Sequence, residues 1–120
     1  MAKAKRKMMY DSEEDILSLS KGIKVKSSKD IGDFIIDIDH RGFIVGLEIL
    51  NASENLGIKQ EYLKSLEQAS MSITYKPNSV CIAIFMKIKE KEKEIAIPLT
   101  IDLGHGAVKT EKTLFAVASS

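Results

Sequence analysis

Residues 33–50 constrain the fold most, because they read as two strands joined by a turn. FIIDID passes from apolar residues into alternation, DHRG supplies turn formers, and FIVGLEIL returns with the β-branched and aromatic residues typical of a pleated sheet. We predict a β-hairpin here, with Gly42 in the left-handed conformation that closes a type I turn with a bulge. Gly46 is expected where a neighbour packs closely or the ladder bulges.

Alternating segments on both sides of this hairpin predict further strands. Short strands are expected at residues 8–10 and 16–20, with the acidic bend DSEED between them. Later, MSITYK and VCIAIFMKIK flank the turn PNS, and EIAIPLTI returns from the charged run KEKEKE, residues 89–94. Pro98 cannot donate to a ladder, so its strand should be an edge or be broken there. For LFAVA near the end, a final strand is favoured over a short helix.

One helix is expected between the two strand-rich parts of the chain. KQEYLKSLEQAS carries apolar side chains at spacings of three and four, with lysines and glutamates opposite. This pattern predicts an amphipathic helix over residues 58–69 that covers the sheet. Its apolar stripe would consist of Ile58, Tyr62, Leu63, Leu66 and Ala69.

Length and composition are those of one globular domain. The chain has 120 residues, of which 44% are hydrophobic and 29% charged, enough for one hydrophobic core but not for two. We predict a single α+β domain over residues 1–120, in which antiparallel β-hairpins form one or two sheets with one amphipathic helix. Its parts would be a disordered basic tail (1–7), a β region (8–57), the helix (58–69) and a second hairpin region (70–120).

Charge and hydropathy disfavour nucleic acids and membranes as partners. The net charge is +1, and only Arg6 and Arg41 among the 18 basic residues are arginines, the usual readers of phosphate and guanine. A basic arm formed by the lysines of residues 3–7 with Arg6 is the remaining route to nucleic acid. No apolar secretory core follows MAKAKRK, and the longest uncharged stretch, residues 77–86, is too short to span a bilayer. We therefore expect a soluble cytoplasmic protein.

Three carboxylates are the first candidates for chemistry. Asp37 and Asp39 are two residues apart and so face the same way on a strand, and Glu48 joins them if the hairpin register allows. Three carboxylates on one face could bind a divalent cation or share a proton. Carboxylates opposite an apolar face are also what a solvated sheet face looks like, and this interpretation is favoured.

Other polar residues have structural interpretations. The acidic bend at residues 11–15 lacks the glycine of a calcium loop and reads as a solvated hairpin tip. His40 and His105 have no further ligands at metal-site spacing, and His105 between two glycines reads as a loop residue. Cys81 is expected to be a buried small hydrophobe. Residues 89–94 should protect a sheet edge, with docking of a charged partner as the alternative. No catalytic, metal-ligating or cofactor-binding residue is assigned, and no cofactor is predicted.

The N-terminal half of the chain resembles a known family. YDSEEDILSL, followed by DFIIDIDHRGFIVGLEILNAS, is similar to the prokaryotic family catalogued as domain of unknown function 2283. Ser18 departs from the family pattern, since relatives often carry a tyrosine there. The resemblance implies a small β-rich fold and at most a protein partner, and it transfers no activity. The matching positions are Tyr10, Asp11, Asp15, Asp37, Gly42, Gly46, Glu48 and Ile49.

These observations favour a non-enzymatic interaction or regulatory module. The sequence lacks a competent nucleophile or ligand set, and the family resemblance carries no enzyme activity. The alternative is a carboxylate-based metal-binding protein or enzyme using Asp37, Asp39 and Glu48. The long apolar strand VCIAIFMKIK and the edge at Pro98 favour burial by self-association, so a homodimer is predicted, beside an unidentified protein partner.

Overall fold

The computed structural model describes residues 5–89 and 91–116 and shows two antiparallel sheets with two short helices. The prediction of antiparallel hairpins in a mixed α and β chain is confirmed, with two sheets. The elements in chain order are β1 (Lys7–Asp11), β2 (Ile16–Ser20), β3 (Ser27–Ile31), β4 (Phe34–Ile38), β5 (Ile44–Ile49), α1 (Ala52–Leu56), α2 (Gln60–Leu63), β6 (Leu66–Lys76), β7 (Ser79–Ile88), β8 (Lys91–Leu99) and β9 (Lys109–Ala116).

Each half of the chain builds one sheet. The first sheet has the strand order β1-β2-β5-β4-β3, and the second has the order β8-β7-β6-β9. Pro98 lies in β8 at an edge of the second sheet, as predicted, so its missing N–H breaks no inner ladder. The final strand expected near the end of the chain is present as β9.

The β4–β5 hairpin has the predicted turn. The N–H of Gly42 donates to the carbonyl of Asp39 at 3.1 Å, and Gly42 has a φ of 85°. Both parts of the expectation for Gly46 are met. The register shifts beside Asp37, and a Cβ added at Gly46 would lie 2.6 Å from the Asp37 Oδ2 atom. A side chain at position 46 would therefore displace the Asp37 side chain.

The helix predicted over residues 58–69 is wrong in its bounds. Only Gln60–Leu63 is helical there, a second short helix precedes it, and β6 already begins at Leu66. Ala69, Met71 and other alternate residues of β6 are buried between β7 and β9. Pairing on both sides satisfies the backbone of β6 and buries one face, so tertiary contacts override the local helical spacing.

One hydrophobic core lies between the two sheets. Leu17, Ile36 and Leu47 contribute from the first sheet, and Ile73 and Ile82 contribute from the second. Burial of these aliphatic side chains is the main stabilising term of the fold. Leu56 of α1 and Leu63 of α2 belong to the same cluster.

Three expectations concern the ends and the surface of the molecule. Residues 1–4 of the predicted basic tail lie outside the described residues, and Lys7 already belongs to β1. Cys81 is half-buried in β7 between the inward residues Val80 and Ile82, so the expectation of a core position is wrong. Among the described residues, no helix has the length and apolar character needed to cross a bilayer.

Candidate functional site

The three candidate carboxylates do not converge. Asp37 pairs with Gly46, two residues before Glu48, so Asp37 and Glu48 share the outer face of the first sheet. The Asp37 carboxylate accepts a hydrogen bond from the Ser28 hydroxyl at 2.6 Å. Asp39 lies beyond the strand end and points into the turn. Within residues 5–89 and 91–116, no group of three or more histidine, cysteine, aspartate or glutamate side chains could hold a metal ion.

Asp39 organises the turn between β4 and β5. Its carboxylate is 2% exposed and accepts the backbone N–H groups of Arg41 at 2.9 Å and Phe43 at 3.0 Å. The Arg41 guanidinium lies 3.1 Å from the same carboxylate. Burial acts to raise the pKa of Asp39, but these hydrogen bonds and the guanidinium charge outweigh it and lower the pKa. Asp39 is therefore held as an anion by the turn that it closes.

A buried tyrosine joins the two sheets at this end of the molecule. The Tyr75 hydroxyl on β6 accepts the N–H of Ile44 at 2.9 Å and donates to the Glu111 carboxylate at 2.8 Å. The Lys21 ammonium group lies 3.4 Å from the same carboxylate oxygen. Burial raises the pKa of Tyr75, and so does the hydrogen bond to Glu111. Tyr75 thus stays neutral and completes a connected polar network.

An aromatic cluster surrounds this hydroxyl group. The Phe43 ring lies edge-on to Tyr75 with centroids 5.4 Å apart, and the His105 ring lies 4.5 Å from Tyr75. The Nε2 atom of His105 is 2.9 Å from the Gly42 carbonyl oxygen, which fastens the β8–β9 loop to the turn. The ammonium group of Lys109 lies 4.5 Å from the Phe43 centroid. His105 is a loop residue, as expected, but its contacts join that loop to the first sheet.

Sequence reasoning missed Tyr75, Glu111 and Phe43 in this network. Their partners are distant in the chain, since Tyr75 and Glu111 are separated by 36 residues. The one signal of this network in the sequence is Glu111, a glutamate at an inward-facing position of the alternating strand β9. The Tyr75 hydroxyl and the His105 Nε2 atom both have hydrogen-bond partners in this region. The arrangement therefore holds the two sheets together.

The acidic bend at residues 11–15 connects to α1 through hydrogen bonds of Asp15. The interpretation of this bend as a solvated hairpin tip is therefore wrong for Asp15. The Asp15 carboxylate accepts the Tyr10 hydroxyl and the Ser53 hydroxyl, each at 2.6 Å, and the Ser53 N–H at 3.0 Å. Burial acts to raise the pKa of Asp15, but hydrogen bonds from Ser53 and Tyr10 outweigh it and lower the pKa. Asp11 holds the rest of the bend by accepting the N–H groups of Glu13 and Glu14.

Comparison with known proteins assigns the chain to a family. The model of a family described as "Protein of unknown function (DUF2283)" matches residues 7–53. An uncharacterized protein of Methanocaldococcus jannaschii is 34% identical over 93 residues, which cover 76% of this chain and 80% of the relative. The chain belongs to the DUF2283 family. No solved structure matches it.

The DUF2283 match ends at a structural boundary. It covers the whole first sheet and stops at Ser53, the residue of α1 that donates to Asp15. Tyr10 and Asp15 are among the residues that carry the family resemblance. Asp15 joins the β1–β2 bend to α1 by accepting the Ser53 hydroxyl, and Tyr10 donates to the same carboxylate. In this DUF2283 chain Tyr10 and Asp15 therefore have structural roles.

The outer face of the second sheet is the candidate interaction surface. Phe85 is 37% exposed and Leu114 is 61% exposed, and the strand register places both beside Ser70 in one cross-strand row. The next row joins Ala96, Ala83, Ser72 and Lys112. Two depressions of about 390 and 290 Å³ border Phe85, and Ser70 lines both.

Proposed function

We propose that this protein is a non-enzymatic interaction module that pairs with a second copy of itself through the outer face of the second sheet. The observation that carries this proposal is the row formed by Phe85, Ser70 and Leu114. Two large apolar side chains flank a small one that is only 9% exposed. Exposed apolar side chains grouped around a depression are typical of surfaces that bind protein.

The row is complementary to itself under two-fold symmetry. β7 and β6 are the two central strands of the sheet. A two-fold axis parallel to these strands and midway between them places each copy on the other with its strands exchanged. Phe85 of one copy then lies over Ser70 of the second copy, because the two residues are cross-strand partners. The Phe85 ring of one copy would thus enter the depression beside Ser70 of the second copy, where the serine side chain is small.

Charges at the margins of the face fit the same arrangement. Glu94 on β8 pairs with Phe85, and Lys112 on β9 pairs with Ser72. The symmetry brings β8 of one copy over β9 of the other, so that Glu94 lies over Leu114 of the second copy. Lys112 of the second copy is one cross-strand row away, a diagonal position that a long lysine side chain reaches. Opposite charges at the rim of an apolar centre favour the pairing and set its register.

The available area is sufficient for a dimer. Strands about 4.8 Å apart and residues rising about 3.4 Å each give four strands and four rows a footprint of roughly 500 Å² per copy. Two copies would bury on the order of 1,000 Å², the lower bound for a specific protein interface. The expected association is therefore of moderate strength and depends on concentration.

Analytical ultracentrifugation across a concentration series tests the proposal. We expect a monomer–dimer equilibrium for the wild type and a monomer for Phe85→Glu, which places a charge in the partner's depression. Met9→Glu is the matched control, because Met9 is 63% exposed but lies on β1 of the first sheet. A wild type that stays monomeric at every concentration, or equal loss of dimer in both variants, would refute the proposal. The cytoplasmic location stays a prediction from the sequence.

A further inference from the structure

A groove of about 680 Å³ lies between α2 and the β7–β8 hairpin. Ile58 and Ile88 form its apolar floor, and the half-exposed ring of Tyr62 forms one wall. This volume lies within the range of small-molecule sites, which are concave and mainly apolar with a few polar groups. Ile58 and Ile88 also belong to the hydrophobic core, so the groove adjoins it.

Residues 91–94 of the charged run separate their charges onto two faces because they form the start of β8. Lys91 pairs with Ile88 and Lys93 pairs with Met86, so both lysines share the side of β8 that faces the core. Glu92 and Glu94 pair with residues of the outer face. The charges alternate in sign along the sequence, but the side of β8 that faces the core carries the two lysines, Lys91 and Lys93.

This cationic side forms the rim of the groove. The Lys93 ammonium group donates to the Gly57 carbonyl at 3.0 Å, and the Lys91 ammonium group lies 5.8 Å from the Tyr62 centroid. Lys59 and Lys89 also line the groove, and Glu92 is the acidic residue among the described residues of its lining. Among the described residues, neither of the two ion pairs includes a lysine of this rim. The rim therefore offers positive charge beside an apolar floor.

We propose that this groove binds a free long-chain carboxylic acid as its anion. The hydrocarbon chain would lie on Ile58, Ile88 and Tyr62, and the carboxylate would meet Lys91 and Lys93. Charge-assisted hydrogen bonds from ammonium groups suit a carboxylate, and apolar surface suits the chain. A peptide fits less well, because its backbone amides need partners and the floor of the groove supplies isoleucine side chains.

Isothermal titration calorimetry with sodium decanoate below its micelle concentration tests this inference. We expect saturable binding with one site per chain, and Lys91→Gln with Lys93→Gln should raise the Kd about tenfold by removing charge-assisted contacts. The matched control is Lys87→Gln with Lys112→Gln, which removes two lysines from the outer face and should leave the Kd unchanged. Circular dichroism establishes that each variant is folded.

Probes of related chemistry separate the two parts of the site. Decanol should bind more weakly than decanoate, and decyltrimethylammonium should not bind. Tyr62→Ala, a change at a half-exposed side chain, should weaken decanoate binding without unfolding the protein. In amide NMR spectra, decanoate should shift the signals of Gly57, Ile58 and Ile88.

Several outcomes would overturn the inference. They are the absence of saturable decanoate binding, equal affinity for decanol, and equal loss in the control variant. Sedimentation with phosphatidylglycerol vesicles distinguishes a lipid surface from a free acid, and binding to vesicles without binding to decanoate would also overturn it. Phe85, Ser70 and Leu114 do not line the groove, so Phe85→Glu should leave decanoate binding intact.

Discussion

The hydroxyl group of Tyr75 on β6 accepts the backbone N–H of Ile44 on β5 at 2.9 Å, and this bond crosses from one sheet to the other. Ile44 is the first residue of β5 and Tyr75 is fully buried. A buried polar connection stabilises a fold only if each of its polar atoms has a hydrogen-bond partner. The Tyr75 hydroxyl has a second partner, because it donates its hydrogen to the Glu111 carboxylate. The joint therefore fixes how the two sheets pack.

Replacing Tyr75 with phenylalanine should destabilise the protein by about 1–3 kcal/mol, because the buried N–H of Ile44 loses its acceptor. Urea unfolding at neutral pH measures this loss. Tyr62→Phe is the matched control at a half-exposed site and should change stability little. A Tyr75→Phe protein as stable as the wild type would show that water or a rearranged turn satisfies the Ile44 N–H.

Alkaline pH should weaken the same joint. The pKa of Tyr75 in the folded protein is raised above the ordinary value of 10.0. A group with a raised pKa contributes stability that is complete below its unfolded pKa and is lost as the pH rises beyond it. The free energy of unfolding should therefore fall above about pH 10, and this fall should be smaller in Tyr75→Phe. Denaturation at a series of alkaline pH values measures both slopes.

Acid should act on the turn through Asp39. Its pKa is lowered from the ordinary value of 3.8, so its contribution to stability is present above that pH and is lost as the pH falls through the folded pKa. Asp39→Asn should destabilise the protein at neutral pH and reduce its loss of stability in acid. Urea midpoints at pH 7 and below pH 4 test this. The exposed Asp30 on β3 provides the control, since Asp30→Asn should change the urea midpoint at pH 7 little.

Substitution of Gly46 by alanine should cost on the order of 1–3 kcal/mol, because the new methyl group meets Asp37. The Asp37 Cβ atom would be 3.1 Å away, and the Asp37 carboxylate is also bonded to Ser28. Asp37→Ala should recover part of the loss by removing the carboxyl group. Gly106→Ala is the control, since an added Cβ there meets nothing within 4 Å. Equal thermal midpoints for both alanine variants would contradict the packing at Gly46.

A double-mutant cycle should show that Tyr10 and Ser53 act through one carboxylate. Tyr10→Phe and Ser53→Ala each remove a hydroxyl donor from Asp15. Because residues in one hydrogen-bond network are not independent, we expect a coupling energy of about 0.5 kcal/mol or more. Unfolding free energies of the four proteins measure it. Strict additivity would show that the two bonds are independent.

Several features followed from local residue chemistry. Gly42 was predicted in its left-handed turn because DHRG between two β-branched segments has few other solutions. Asp39 is a candidate residue in the sequence, but its role differs from the predicted one. Its carboxylate accepts N–H groups of the turn that follows it and does not lie on one sheet face with Asp37 and Glu48. Tyr10 and Asp15 carried the family resemblance, while their partner Ser53 is 38 residues away from Asp15 and gave no signal.

The sequence alone determined which segments alternate, where the main hairpin turns and which family the first sheet belongs to, because those signals lie within a few neighbouring residues. Tertiary structure decided the rest. Leu66 and Ala69 have helical spacing, yet both belong to β6, where Ala69 pairs with β7 and β9 and Leu66 pairs with β7. The register of β8 against β7 decides which charged side chains of residues 91–94 are on the core side of the sheet and which are on its outer face. Register and sheet packing are set by partners distant in the chain, and the free energy of burial chooses among them.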